Sequence, residues 1–251
     1  MNLFRASLVA IAIFCVPAGG VPSLGGGTVS GEVTITGTAA KPKPLDLSKE
    51  PACVKIHSAD PLMPENVVRG GGNALRNVVV YISAAASDDT RASSGPPAIF
   101  DQRDCHYTTH VLAVRTGQEI KISNSDPFAH NIHPLAKINR EWNKMQLPNT
   151  PAFSYAYDKE EIIPIKCNIH PWMQGYFVVL RTSQFAVTGE DGHFSLANLS
   201  PGHYVVTAWH ETLGTQSRDF TLSPDESQTT KLIISESPVN RESRITSHRP
   251  T

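Results

Sequence analysis

Apolar and polar residues alternate along most of this chain with a period of two, in short runs cut by Gly and Pro. Residues 28–37 set Val29, Val33 and Ile35 between small or polar neighbours, which is the pattern of a half-buried strand. Lys-Pro-Lys-Pro at 41–44 breaks it into an extended loop that carries Cys53 and His57, and 76–83 is the next strand. Residues 84–97 shift to Ala, Ser, Asp and Pro, a linker composition. Beyond it, 117–126 reads as a turn, a strand and a polar loop, 162–166 as a β-rich run, and 175–180 as another strand. A strand, a Glu-Asp-Gly turn and an aromatic strand follow over 185–196, then a Pro-Gly turn and a long strand over 199–210. No stretch offers an amphipathic helix longer than a few turns, although 135–142 allows a short one. The expected fold class is therefore all-β, built of antiparallel sandwiches, with no internal repeat.

The two ends carry no such pattern. Arg5, the apolar run 6–16 and the small residues Ala18, Gly19 and Gly20 have the regions of a secretory signal peptide, so 1–20 is expected to be removed. That run is shorter than the roughly 20 residues a bilayer span needs, and no later stretch is long enough either. A lipid anchor at Cys15 would need a small residue before it, where Phe14 stands. Residues 236–251 mix Pro, Arg, Ser and Asn and read as a disordered tail.

With 251 residues the chain has room for one or two domains of roughly 100–200 residues each. Its formal charge of -1 and lack of a basic cluster point away from nucleic acid and from a membrane surface. Of its four cysteines, loss of Cys15 with the leader leaves Cys53, Cys105 and Cys167, an odd number in an exported protein. A Cys53–Cys105 disulfide suits an oxidising compartment and leaves Cys167 free, whereas a rival pairing would consume it. Cys53, His57, Cys105, His106 and His110 also allow a zinc site, but C-x3-H and C-H-x3-H are weak zinc spacings.

Cys167 opens the densest chemistry in the sequence, Cys-Asn-Ile-His-Pro-Trp-Met over 167–173. A thiolate, an imidazole and a thioether are soft-metal ligands, and two imidazoles, one thiolate and a weak axial thioether make the trigonal blue-copper set. The missing histidine is offered upstream in His130-Asn131-Ile132-His133.

This pair of motifs resembles the cupredoxins, and the loop spacing C-x2-H-x2-M is similar to that of the amicyanins within that family. The resemblance runs from about Val111 to Leu180. It implies one type 1 copper bound by His130, Cys167, His170 and Met173, in a Greek-key β-sandwich over 98–183. Asn131 would tie the two ligand segments together by hydrogen bonds. His133 is set aside as a surface or supporting residue because His130 is the histidine followed by Asn, and Met145 is read as packing. Pro171 and Trp172 would form an apolar collar around an exposed His170 edge, where electrons leave. The residues 27–33, 77–83, 185–196 and 199–210 resemble a carboxypeptidase regulatory-like, transthyretin-like sandwich. Its opening strands precede the copper segment, so this second, smaller sandwich is expected to be split over 27–86 and 184–235, with the cupredoxin inserted. Insertion at a loop tip is tolerable because the two ends of such a loop lie close together.

The resemblance implies a periplasmic or secreted protein of the bacterial cell envelope that carries one electron at a time between redox proteins. It implies no enzyme: the sequence lacks the HxH and HCH motifs of multicopper oxidases and the second cysteine of a binuclear centre. Two other readings stay open, a copper-binding or storage module without electron transfer, and a structural interaction protein of the envelope.

Overall fold

The computed structural model describes residues 26–37, 41–85 and 95–235. The expected leader at 1–20, most of the linker and the expected tail at 236–251 lie outside the described residues. Strands β1 (Gly27–Thr36) and β2 (Val79–Ala85) come first, with the six-residue helix α1 (Pro51–Ile56) between them. Next come β3 (Ala98–Arg103), β4 (His106–Tyr107), β5 (Val111–Arg115), β6 (Ile120–Asn124) and β7 (His130–Pro134). Then follow β8 (Lys144–Gln146), β9 (Phe153–Tyr155), β10 (Glu161–Lys166) and β11 (Gln174–Leu180). The chain closes with β12 (Phe185–Val187), β13 (His193–Leu199), β14 (Gly202–His210), β15 (Gly214–Leu222) and β16 (Ser227–Ser235). Residues 135–142 form no helix: Leu135 donates its N–H to Pro164, and Glu161 takes the N–H groups of Lys137, Ile138 and Asn139. A carboxylate that satisfies three successive amides replaces the helical ladder there.

The first and last strands build one sandwich from sheets ordered β13-β1-β16 and β12-β2-β14-β15. Alternation makes its core: Val29, Val33 and Ile35 point inward from β1, with Val80 and Ile82 from β2, Val206 from β14 and Leu232 from β16. The middle strands build a second sandwich from sheets β5-β11-β10-β7-β8 and β4-β3-β6-β9, around Phe100, Ile120, Ile122, Ile132, Ile163, Ile165 and Phe177. The chain leaves the first sandwich after β2 and returns at β12, which pairs antiparallel with β2 (Phe185 opposite Tyr81). Departure and return are thus neighbouring strands.

The two sandwiches share a third apolar layer. Val79 and Tyr81 of β2 with Phe185 and Trp209 meet Val111 and Ala113 of β5 and Tyr176, Val178 and Leu180 of β11. Gln174–Leu180 therefore buries both faces, with Phe177 and Val179 inward and Val178 and Leu180 toward the other sandwich. A strand buried on both faces loses its alternation and reads as one continuous apolar run.

Candidate metal centre

Residues 167–173 are the turn of the β10–β11 hairpin. Lys166 pairs with Gln174, the Cys167 N–H donates to the Met173 carbonyl at 3.0 Å, and the Met173 N–H donates to His170 at 2.9 Å. The turn is thereby closed on its own backbone, and the antiparallel pairing of β10 with β7 sets His133 opposite Lys166. This register brings His130, at the start of β7, to the same end of the sandwich.

Donor atoms of His130, Cys167 and His170 lie within 4.8 Å of one another, all buried. The two Nδ1 atoms are 2.8 Å apart, and His170 Nδ1 is 3.8 Å from the sulfur. The backbone N–H groups of Asn131 and His170 both donate to that sulfur at 3.4 Å. Burial alone would push the Cys167 thiol up, but hydrogen bonds from His130 and His170 and these two amides outweigh it and hold the pKa at about 6. A sulfur so placed is a thiolate at neutral pH, the form that binds metal. Met173 is buried in the same apolar cluster as Cys167.

Asn131 fastens the segment of His130 to that of Cys167, its Oδ1 accepting the Asn168 N–H. His133 turns away and bonds Asn168 Oδ1 at 3.1 Å and Glu141 at 2.8 Å. Cys53 and Cys105 are joined by a disulfide, with Cα atoms 5.8 Å apart, which removes both from any zinc site. Cys167 is the free cysteine among the described residues.

One buried group beside His130 escaped the sequence reading. Asp126, four residues before His130, lies 2.7 Å from its Nε2 and is itself buried. It also accepts the backbone N–H groups of Asp104 at 2.7 Å and Cys105 at 2.9 Å. Burial raises its pKa, but the bond to His130 and these two amides more than offset that, so the net shift is downward and Asp126 stays ionised. The partner effect on His130 is upward, as Asp126 and Cys167 overcome burial. In the neutral imidazole, a carboxylate that holds Nε2–H leaves Nδ1 as the lone-pair nitrogen facing the cluster, whereas the imidazolium can donate from Nδ1 to the sulfur. The signal was an Asp at i−4 in a stretch that reads only as polar loop.

Two expectations need correction. His170 presents no exposed edge; it is 2% accessible. Its ring is flanked by Phe128 at 6.0 Å and Trp172 at 5.2 Å, and Leu45, Leu47, Leu62 and the Cys53–Cys105 pair cluster with both rings. Trp172 is accordingly half-buried, with only Pro171 exposed. Met145 does not pack either, being 60% exposed on β8.

The donor set fits copper on its own chemistry: two imidazole nitrogens and one thiolate, buried and mutually in reach, with no carboxylate in this cluster among the described residues. No protein-family model and no curated protein matches the chain. Among solved structures, the chain is similar to a reduced amicyanin variant, with 24% identity over 38% of this chain and 96% of that one, at a TM-score of 0.31. A copper-containing nitrite reductase from Thermus scotoductus SA-01 is 17% identical over 39% of this chain and 25% of its own, at 0.32. A purple cupredoxin from Nitrosopumilus maritimus is 20% identical over 33% and 98%, at 0.29.

Proposed function

We propose that the chain is an exported electron carrier with one type 1 copper, which His130, Cys167, His170 and Met173 would hold. The observation that supports this most is the convergence of two Nδ1 atoms and a low-pKa sulfur in a buried site. A bound copper supplies a one-electron couple. The chain's own residues supply the rest: Asp126 orients His130, Asn131 and its N–H hold the sulfur's segment, and burial keeps water from the ligands. A site already assembled by backbone bonds changes little between oxidation states, which suits electron transfer. On this reading the copper unit spans 98–183, the regulatory-like sandwich spans 27–86 and 184–235, and a redox protein of the cell envelope is the partner. Among the described residues no helix is long and apolar enough to cross a membrane.

One observation favours a second reading, a copper store. His130, Cys167, His170 and Met173 are each at most 2% accessible, and the His170 edge is roofed. Addition of one equivalent of Cu(II) tests both. The carrier reading expects an intense thiolate-to-copper absorption band, absent from Cys167→Ser, with fast bleaching and recovery under a small reductant and oxidant. A coloured centre that resists both reagents supports the store, and a colourless protein overturns both.

A further inference from the structure

Cys105 reaches both imidazoles of the cluster, one through its N–H and one through its carbonyl. Its N–H and that of Asp104 converge on the Asp126 carboxylate, at 2.9 and 2.7 Å, and Asp126 in turn holds His130 Nε2 at 2.7 Å. Its carbonyl accepts the Trp172 indole N–H at 2.9 Å, and the Trp172 ring lies 5.2 Å from that of His170. The turn that makes this possible is unusual: Asp104 and Cys105 are consecutive non-glycine residues in the left-handed region, at φ 52° and 60°. That backbone aims two successive N–H groups at one anion, and side chains adopt it only where the surroundings enforce it. The surroundings here are the disulfide to Cys53 on α1 and His57, whose Nε2 bonds the Asp104 carbonyl at 2.7 Å.

We infer that the Cys53–Cys105 disulfide is a positioning element of the metal centre, which fixes His130 through Asp126 and His170 through Trp172. The copper in this statement rests on the proposed function; the positioning of the imidazoles does not. With the bridge intact, the 104–105 turn stays left-handed and Asp126 keeps both amide donors. Without it, the turn relaxes, Asp126 loses its two backbone donors, and the His130 ring is free to rotate away from the cluster. The segment 41–64, which roofs Trp172 and Phe128, loses its covalent tie at the same time.

The test uses the full chain with both Cys53→Ser and Cys105→Ser, with circular dichroism to verify the fold. Without metal, the His130 Nε2 proton followed by nitrogen–proton NMR is expected to be protected from exchange in the parent chain and unprotected in the variant. With copper, affinity is expected to fall roughly 10- to 100-fold, the range for lost groups behind a ligand, with an altered charge-transfer band. Asp126→Asn added to the variant should cost little more, since both act through one contact. Retained protection with unchanged affinity overturns the inference, and so do losses that simply add, which would make the bridge a stabiliser of the fold alone. A parent chain that shows no charge-transfer band sinks the copper reading, while the proton measurement still decides the positioning. Should the serine pair fail to fold, Trp172→Phe removes the indole donor and keeps the ring; an unperturbed His170 signal in it overturns the second arm, and an undisturbed His130 proton in Asp126→Asn the first.

Discussion

The backbone N–H of Asn131 donates to the sulfur of Cys167 across 3.4 Å, while the Asn131 side chain accepts the N–H of Asn168. One residue of β7 thus grips the 167–173 turn on both sides of its first peptide. Asn131→Ala leaves the Asn168 amide without its acceptor, and the expected loss is about 1–3 kcal/mol by denaturant unfolding. Asn131→Asp keeps the acceptor but sets a negative charge beside the sulfur, which raises the Cys167 pKa. A Cys167 titration in that variant that does not move upward contradicts this account.

Cys167 itself should titrate near pH 6 in the metal-free protein, well below its ordinary 9.0, as followed by ultraviolet thiolate absorbance. The folded value lies below the unfolded one, so the thiolate's stabilisation is present above pH 9 and is lost as pH falls through about 6. Relative to Cys167→Ala, the parent chain should therefore lose stability between those limits on acidification. A stability difference that is flat over this window would mean that the imidazoles and amides do not hold a thiolate.

Strands that alternate, such as β1 with Val29, Val33 and Ile35 inward, were legible from the sequence because one face is wet. So was the candidate donor cluster of His130, Cys167 and His170, because hairpin closure keeps Cys167 and His170 within one short turn. What stayed hidden depends on contacts between distant segments. Asp126 gains its role from Asp104 and Cys105, about twenty residues upstream, and an aspartate in a polar loop carries no mark of that. His170 is flanked by Phe128 and Trp172, and these rings cluster in turn with Leu45, Leu47 and Leu62, which carry no mark of that in an extended, proline-broken stretch tied down by the disulfide. Residues 135–142 have helical composition, but Glu161 captures their amides from outside.

His110 clamps the two sandwiches together. It sits just before β5, bonds Glu211 beyond the end of β14, and has Glu65 4.0 Å from its other nitrogen. Burial pulls its pKa down, but the Glu211 bond and the charges of Glu211 and Glu65 prevail and raise it above 6.5. Because the folded value is the higher one, the clamp is fully stabilising below pH 6.5 and fades as pH rises through the raised value. His110→Gln leaves the half-buried Glu211 without its cation, at a cost of roughly 1–3 kcal/mol on the acid side of that window. Neighbouring His210 acts in the opposite sense: burial lowers its pKa to about 4, so it loses stability as pH falls from 6.5 toward that value. The difference between parent and variant, measured by thermal unfolding across pH, removes most of that opposing slope. It should shrink with rising pH, and a difference that grows instead refutes the clamp.

Gly31 lies in β1 where β13 and β16 flank it on either side, opposite Phe194 and Thr230. A Cβ there would stand 2.0 Å from the Thr230 carbonyl oxygen and 3.0 Å from the Phe194 ring. Neither can yield cheaply, because the first is backbone and the second belongs to the core. Gly31→Ala should therefore cost at least the 1–3 kcal/mol typical of overpacking, as β1 is forced away from one partner strand. Gly71→Ala is the matched control, since a Cβ there meets open space and surface changes of this kind stay within about 0.5 kcal/mol. The shared layer of Val79, Val111, Val178 and Leu180 makes a further demand on this pair. If that layer couples the sandwiches, then in the copper-loaded protein that the proposed function expects, Gly31→Ala lowers the midpoint of copper release along with that of the far-ultraviolet signal. Release at the parent midpoint, with only the backbone signal shifted, would show that the inserted sandwich stands alone.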